Sequence, residues 1–512
     1  MNRKTLYIIG AVGAALLLLG VVTKWVLLPL IVKSKIADTV AIKNGTEAFE
    51  RWEKLPVTML FRVYLFEVLN PEEITQNGAV PQVKERGPFV YREKRWKEKI
   101  KLKEDEDTAE YFQMTSFEFD EALSKESEEV EMTVVNVPAL GFAYIAEALP
   151  GFQWALKVYN MFISKMWPGN HPIFIKTKVK DYLFGSVKMF CNPETTTENL
   201  DPVMKALWKA LCLAFAYIRP ERTVIIDDGE RGINTFSFFK YKKAPDGPYK
   251  VRLGVKDLEK IGQIMSWQEK SDLGTMWGGK TCNKVYGTDS TVFRPYLEDA
   301  DVLTVFNGDI CRTVNLTYKG PEEYKGVPAR RYVAGSNVFA SVQENPENYC
   351  YCPRSVKGLT SFGGCMKSGL LDLSSCQGAP VVLSFPHFLM ADPSYQEMVS
   401  GLEPDPAKHG IFVDLEPNTG YPLRGAIRVQ MNILLKNMPD VDCMKNFPGK
   451  IIPMLWLDEG VELTDELVDE VKSRLLNLLL AADILTWLMI VSGTVVSIGS
   501  ITVLIYKKRK GV

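Results

Sequence analysis

The chain has 512 residues, with 61 Lys+Arg against 62 Asp+Glu. Its near-zero net charge argues against a generic nucleic-acid binder, which carries a basic excess. Hydrophobic residues at 46% and charged residues at 24% exclude a largely disordered chain, and a mean hydropathy close to zero excludes a polytopic transporter.

In chain order, the first element is an apolar run, Leu6–Thr23, with Arg3 and Lys4 before it. It is about the ~20 residues that a bilayer core requires of a helix. The exit Thr23-Lys24-Trp25 lacks a small-x-small cleavage site, so an uncleaved anchor is expected. The apolar run resumes as VLLPLIV (26–32), which leaves the outer edge of the span open. Residues 80–145 mix aromatic and charged positions in FVYREKRWKEKIKL and AEYFQMTSFEFD, as half-buried antiparallel strands do. Residues 139–218 change character. ALGFAYIAEALPGFQWALKVYNMFISKM and VMKALWKALCLAFAYI read as apolar helices, with Lys205 and Lys209 on one face of the second. A buried helical packing unit is the plain expectation, and an exposed apolar mouth the sharper one. From about 222 to 455 short strands return: RTVIIDD, NTFSFFKYKK, YKVRLGV, ARRYVAG, PVVLSF and RVQMNILLK, separated by turn residues. A second apolar run, Ile484–Tyr506, ends in Lys507, Lys508, Arg509 and Lys510. Basic residues at both tips place both in the cytoplasm by the positive-inside tendency, although Lys33 and Lys35 pull the other way.

The intervening loop holds Cys191, Cys212 and a denser series: Cys282, Cys311, Cys350, Cys352, Cys365 and Cys376, with Cys443 beyond. Paired C-x-x-C knuckles are missing, which argues against zinc, and the three histidines (His171, His387, His409) lie far apart. No metal or cofactor is expected. Six cysteines allow 15 pairings, and spacing chooses none. Sequons stand at Asn44 and Asn315. Anchors, dense cysteines and sequons together favour an oxidising, extracytoplasmic loop. Gly274 to Thr281 matches the phosphate-loop spacing, but SWQEKSDL before it and CNKVYGTDS after it supply neither strand nor helix, so a disulfide-pinned turn is expected. No G-x-S-x-G or H-E-x-x-H occurs, and no polar catalytic cluster is legible; an enzyme is not expected.

The cysteine order with its central C-x-C resembles the class B scavenger receptor family, which includes fatty acid translocase. So do ENPENYCYC (344–352), LSFPHFLMADP (383–393), VDLEPNTGYPL (413–423), RVQMNILLK (428–436), FRVYLFEVLNPEEI (61–74) and VKERGPFVY (83–91). Within it, REKRWKEKIKLKEDEDT (92–108), GTDSTVFRP (287–295) and LWLDEGVEL (455–463) look most like the insect sensory neuron membrane protein branch. The resemblance implies an α+β fold: two transmembrane helices flanking a large extracellular domain, with an antiparallel β-barrel-like core, a helical apex bundle and an internal hydrophobic tunnel. The domain plan is a cytoplasmic tail at 1–5 and a first helix with its outer segment at 6–32. An extracellular domain follows at 33–483, with a cap at about 139–218 and a disulfide region at 282–376. A second helix at 484–506 and a tail at 507–512 complete it. The family pattern implies the pairs Cys282–Cys350, Cys311–Cys376 and Cys352–Cys365, leaves Cys443 unpaired, and leaves Cys191 with Cys212 open. It also implies an apex lysine at the tunnel opening. Lys165 falls nearest that position, although ISKMWPGNHP (163–172) departs in length and a solvated lysine is the plainer reading.

The function implied is a plasma-membrane receptor or co-receptor for lipophilic ligands. It would bind fatty-acid-derived pheromones and pass them toward the membrane or an odorant receptor. The alternative is a general scavenger for lipid or lipoprotein uptake. Each methylene removed from water gains about 0.8 kcal/mol, so a covered apolar conduit lowers the barrier to moving a long chain.

Overall fold

The computed structural model describes residues 2–169, 171–191, 200–217, 226–227, 233–352 and 365–509. Of the strand expected over 222–228, only Ile226–Asp227 falls within these; residue 218 of the cap and 510–512 of the tail lie outside the described residues.

Two terminal helices flank a mixed domain built on one antiparallel sheet of 13 strands. From one edge the order is Ile264–Trp267, Asp246–Arg252, Thr108–Phe119, Val83–Lys103, Met59–Val68 and Lys450–Glu462. It continues through Pro422–Leu435, Phe412–Leu415, Val327–Val333, Arg312–Tyr324 and Val302–Asn307, and the remaining two strands lie off this path, Val381–Ser384 pairing with Pro422–Leu435 and Leu371–Asp372 with Val381–Ser384. The sheet curls until its two edges meet across one residue, Thr288, which bridges to Gln263 and to Val305. Ile264 N–H donates to the Gly287 carbonyl at 2.7 Å, and Phe306 N–H to the Thr288 carbonyl at 2.9 Å. Closure of this kind satisfies edge groups that would otherwise stay unpaired. Gly287 makes the approach possible: its φ is +101°, and a Cβ there would sit 2.7 Å from the Thr304 carbonyl oxygen.

The period-2 pattern sets the inward face. Met59, Phe61, Val63 and Leu65 alternate inward on one strand, and their register partners Glu93, Tyr91, Glu459 and Leu457 face the same way. Within Lys450–Glu462, the stretch Ile451–Leu457 reads as an unbroken apolar run because its outer face is covered too. There Trp456 stacks on Tyr64 with ring centroids 3.9 Å apart and meets His409 edge to face at 5.2 Å.

The cap packs helices Val137–Ala148, Trp154–Met166 and Pro202–Tyr217. Asn136 caps the first by accepting the Ala139 N–H, and Pro150, which has no N–H to donate, follows its end. Most of the apolar excess is core: Phe142 stacks on Phe215 and Phe162 packs on Trp208, each pair at 5.0 Å. The region is not purely helical, since Phe174–Lys178 pairs with Glu131–Val135, and Val187–Phe190 with Ile233–Phe236. The strand expected over 234–243 stops at Phe236. Phe238 and Phe239 instead bond their N–H groups to Tyr182 and Leu183 carbonyls and turn their rings inward.

Arg3–Val40 and Asp465–Arg509 are continuous helices of 38 and 45 residues, each long and apolar enough to cross a bilayer. At 1.5 Å per residue they extend roughly 57 and 68 Å, well beyond a hydrocarbon core of about 30 Å. Their outer ends therefore act as paired stalks that enter the barrel domain. Among the described residues four disulfides join Cys191–Cys212, Cys282–Cys350, Cys311–Cys376 and Cys352–Cys365. The phosphate-loop-like segment is a turn beside Cys282, with the Gly278 N–H bonded to the Cys350 carbonyl at 2.8 Å. Cys443 is a free thiol whose pKa burial pushes up to about 11.

Candidate functional site

The inward alternation of the barrel strands leaves space in the half of the lumen nearest the stalks. A cavity of about 300 Å³ occupies it. One end is formed by Val40 and Ile42, where the first stalk ends, and by Leu467 and Val471, where the second begins. The wall then climbs the strands through Val461, Ile427, Val429 and Met431 to Leu383. Most lining side chains are aliphatic or aromatic, so the space suits an alkyl chain.

Charge enters at two levels. Near the stalks, Arg51 donates to Glu470 at 2.6 Å and to Glu47. Higher in the lumen, Arg95 donates to Glu93 at 2.6 Å and, through its other nitrogen, to Glu459. Lys242 donates to Asp309. Burial works against the charge of Arg95, but Glu459 and Glu93 more than offset it and hold its pKa above the ordinary arginine value. Burial likewise opposes Lys242, and Asp309 outweighs it, so this pKa also rises. Glu93 is fully enclosed, and burial drives its pKa upward despite Arg95. Asp289 completes the polar wall, accepting from the Tyr111 hydroxyl and, at 2.6 Å, from Thr291 Oγ1.

One inward position further along the strands, the lumen fills with rings. Phe61 packs on Phe117 at 5.0 Å and Phe239 at 5.2 Å, while Phe184 lies 4.7 Å from Tyr91 and 4.9 Å from Phe117. None of the described residues lining the cavity belongs to 139–218.

Lys165 stands exposed in the last turn of Trp154–Met166, away from this cavity. Lys205 and Lys209 are exposed on the cap. Asn44 is exposed just past the first stalk, and Asn315 is exposed on Arg312–Tyr324 with its Oδ1 accepting from Thr304 Oγ1 at 3.1 Å. Sequence reasoning overlooked Glu93, Arg95, Glu459, Lys242 and Asp309. The available signal was the charged run Glu93, Arg95 and Lys97, two apart and following Phe89 and Tyr91 on the inward face of one strand. Their partners come from sequence-distant segments and left no trace. Among the described residues no cluster of three or more His, Cys, Asp or Glu could hold a metal.

The CD36 family model matches residues 11–504. The chain is 31% identical to "Sensory neuron membrane protein 1" of Apis mellifera, covering 98% of this chain and 91% of that one. It is 32% identical to "Sensory neuron membrane protein 1" of Bombyx mori (97% and 90% covered), and 29% identical to "Sensory neuron membrane protein 2" of Anopheles gambiae (98% and 93%).

Proposed function

The chain belongs to the CD36 family, and on that premise we propose that it is a plasma-membrane receptor or co-receptor, not an enzyme, that carries lipophilic ligands in chemosensory neurons. Its ligands are fatty-acid-derived pheromones, handed through a hydrophobic tunnel toward the bilayer or an odorant receptor. Both tips lie in the cytoplasm, and 33–483 lies outside, glycosylated at Asn44 and Asn315 and held by Cys282–Cys350, Cys311–Cys376 and Cys352–Cys365. Lys165, on the cap, belongs to the outer opening. The observation that carries this reading is the apolar lumen cavity, whose near end is built from the stalks that enter the membrane. The names of its relatives support the tissue. A ligand travelling between cap and cavity passes the rings around Phe61.

The test is obstruction of the lumen. Ile427→Trp puts an indole where an alkyl chain would lie, on a strand whose register is fixed on both sides. Lipid delivery from a donor to the cell membrane should fall by about tenfold while surface expression holds, since the loss is of volume and not of fold. Normal delivery by a well-expressed variant would show that the lumen is not the route.

A further inference from the structure

We propose that the lumen selects long-chain lipids with a neutral hydrogen-bonding head group, such as an alcohol, aldehyde or ester, over ionised carboxylates, and that Glu459 and Asp309 set this preference. The inference rests on the reading of the lumen as a lipid site. Three cationic side chains stand among the described lining residues, Arg51, Arg95 and Lys242. Each is already committed: Arg51 to Glu470 and Glu47, Arg95 to Glu93 and Glu459, Lys242 to Asp309. Asp289 adds a further carboxylate to the wall.

An arriving carboxylate would have to leave water, and that cost is recovered only by pairing with a cation. Here it would compete with carboxylates already in place, and it would lie against Glu459, Asp289 and Asp309 in a space of low dielectric, where like charges repel strongly. A neutral head group avoids both penalties. A hydroxyl can donate to the Glu459 or Asp309 carboxylate, and a carbonyl can accept from Lys242, Arg95 or the Asn307 amide, all of which line the same space. The paired charges thus supply hydrogen-bonding partners without a net positive field. Removing one carboxylate weakens the repulsion of an incoming anion and frees donors on the cation it held. Glu459→Gln leaves Arg95 with Glu93 alone, and Asp309→Asn takes the carboxylate from Lys242.

The full-length protein in detergent, at pH 8.5, is titrated with hexadecan-1-ol and with hexadecanoate in competition against a fluorescent 16-carbon alcohol. The alcohol should displace the probe at a concentration about tenfold or more below the carboxylate. Glu459→Gln and, independently, Asp309→Asn should each strengthen hexadecanoate relative to hexadecan-1-ol by about tenfold. Equal displacement by the two ligands overturns the proposal and leaves the lipid site standing. So does a variant with an unchanged melting temperature that gains nothing for hexadecanoate. Should one variant fail to fold, the other and the unmodified comparison still decide. Displacement by neither ligand removes the lipid site itself, and this inference with it.

Discussion

His387 and His409 are 22 positions apart in sequence, yet their rings stack with centroids 4.5 Å apart and 7° between planes. Both are buried. Nδ1 of His387 accepts the Glu403 N–H at 2.9 Å, and Nδ1 of His409 accepts the Asp405 N–H at 2.9 Å. Each ring therefore keeps Nδ1 unprotonated, and the neutral tautomer carries its proton on Nε2, which His387 directs to Glu85 at 2.6 Å. Trp456 donates to the same Glu85 oxygen at 2.7 Å. Burial, followed by the neighbouring His387, lowers the His409 pKa from 6.5 to about 4, with Glu85 and Asp405 opposing and Arg428 reinforcing. Burial disfavours the Glu85 charge, but hydrogen bonds from His387 and Trp456 outweigh it and its pKa falls below the ordinary glutamate value. Both shifts have the same sign for stability. The unfolded chain binds protons that the folded one refuses, so the contribution is complete above about pH 6.5 and is lost as pH falls through 6.5 toward 4. The melting temperature should drop over that window. His409→Phe, which keeps a ring on Trp456 and His387 but cannot be protonated, should flatten the drop. An unchanged slope in that variant would place the acid sensitivity elsewhere.

At the scale of the element, the two membrane helices are held together by small residues. Gly13 and Gly493 face each other so closely that a Cβ on Gly493 would lie 2.5 Å from the Leu17 nitrogen and 2.8 Å from the Gly13 carbonyl. Gly10 meets Ser500, and Gly20 meets Ile490, in the same manner. Lipid offers no hydrophobic drive between helices, so close backbone approach and polar contacts must supply the association. The polar contact is Lys24 to Asp483 at 2.5 Å, with the Lys24 ammonium also 4.4 Å from the Trp487 ring centroid. Gly493→Leu should force the helices apart because the obstacle is backbone, which cannot move aside. Cysteines placed at Leu6 and Leu504, which continue the antiparallel spacing of Gly10 with Ser500 and Gly13 with Ser497, should cross-link efficiently in the parent and several-fold less in the variant. Equal cross-linking would show that the hairpin does not depend on this approach. The sequence reading left the outer edge of the first span open and placed the helix with its outer segment at 6–32; the helix continues to Val40, with Lys24 inside it paired to Asp483.

At the scale of the whole molecule, the stalks join the membrane to the lumen without a linker. Val40 and Leu467 line the cavity and are the last and nearly the first residues of the two membrane-crossing helices. The proposed function puts the barrel outside. Protease added to intact cells should therefore digest the domain between the helices and spare epitope tags on both tips; a tip cleaved without permeabilisation contradicts the proposed orientation. Much of this plan was legible in the chain. Two uncharged runs, basic tips and a cysteine-dense loop follow from residue types alone, because spanning a bilayer and surviving an oxidising medium are demands on composition. The mixed aromatic and charged positions of FVYREKRWKEKIKL and AEYFQMTSFEFD marked half-buried strands, because burial alternates along a strand. The rest had to wait for the tertiary structure. Nothing in the sequence tells Glu93 that its guanidinium neighbour also binds Glu459, 366 positions away, or that Lys242 meets Asp309. Nor does it say that Thr288 closes the barrel, or that two distant histidines stack. Composition and local period act through near neighbours along the chain, whereas charge pairing, barrel closure and cavity shape depend on which segments the sheet order brings together, and that order is a property of the folded molecule.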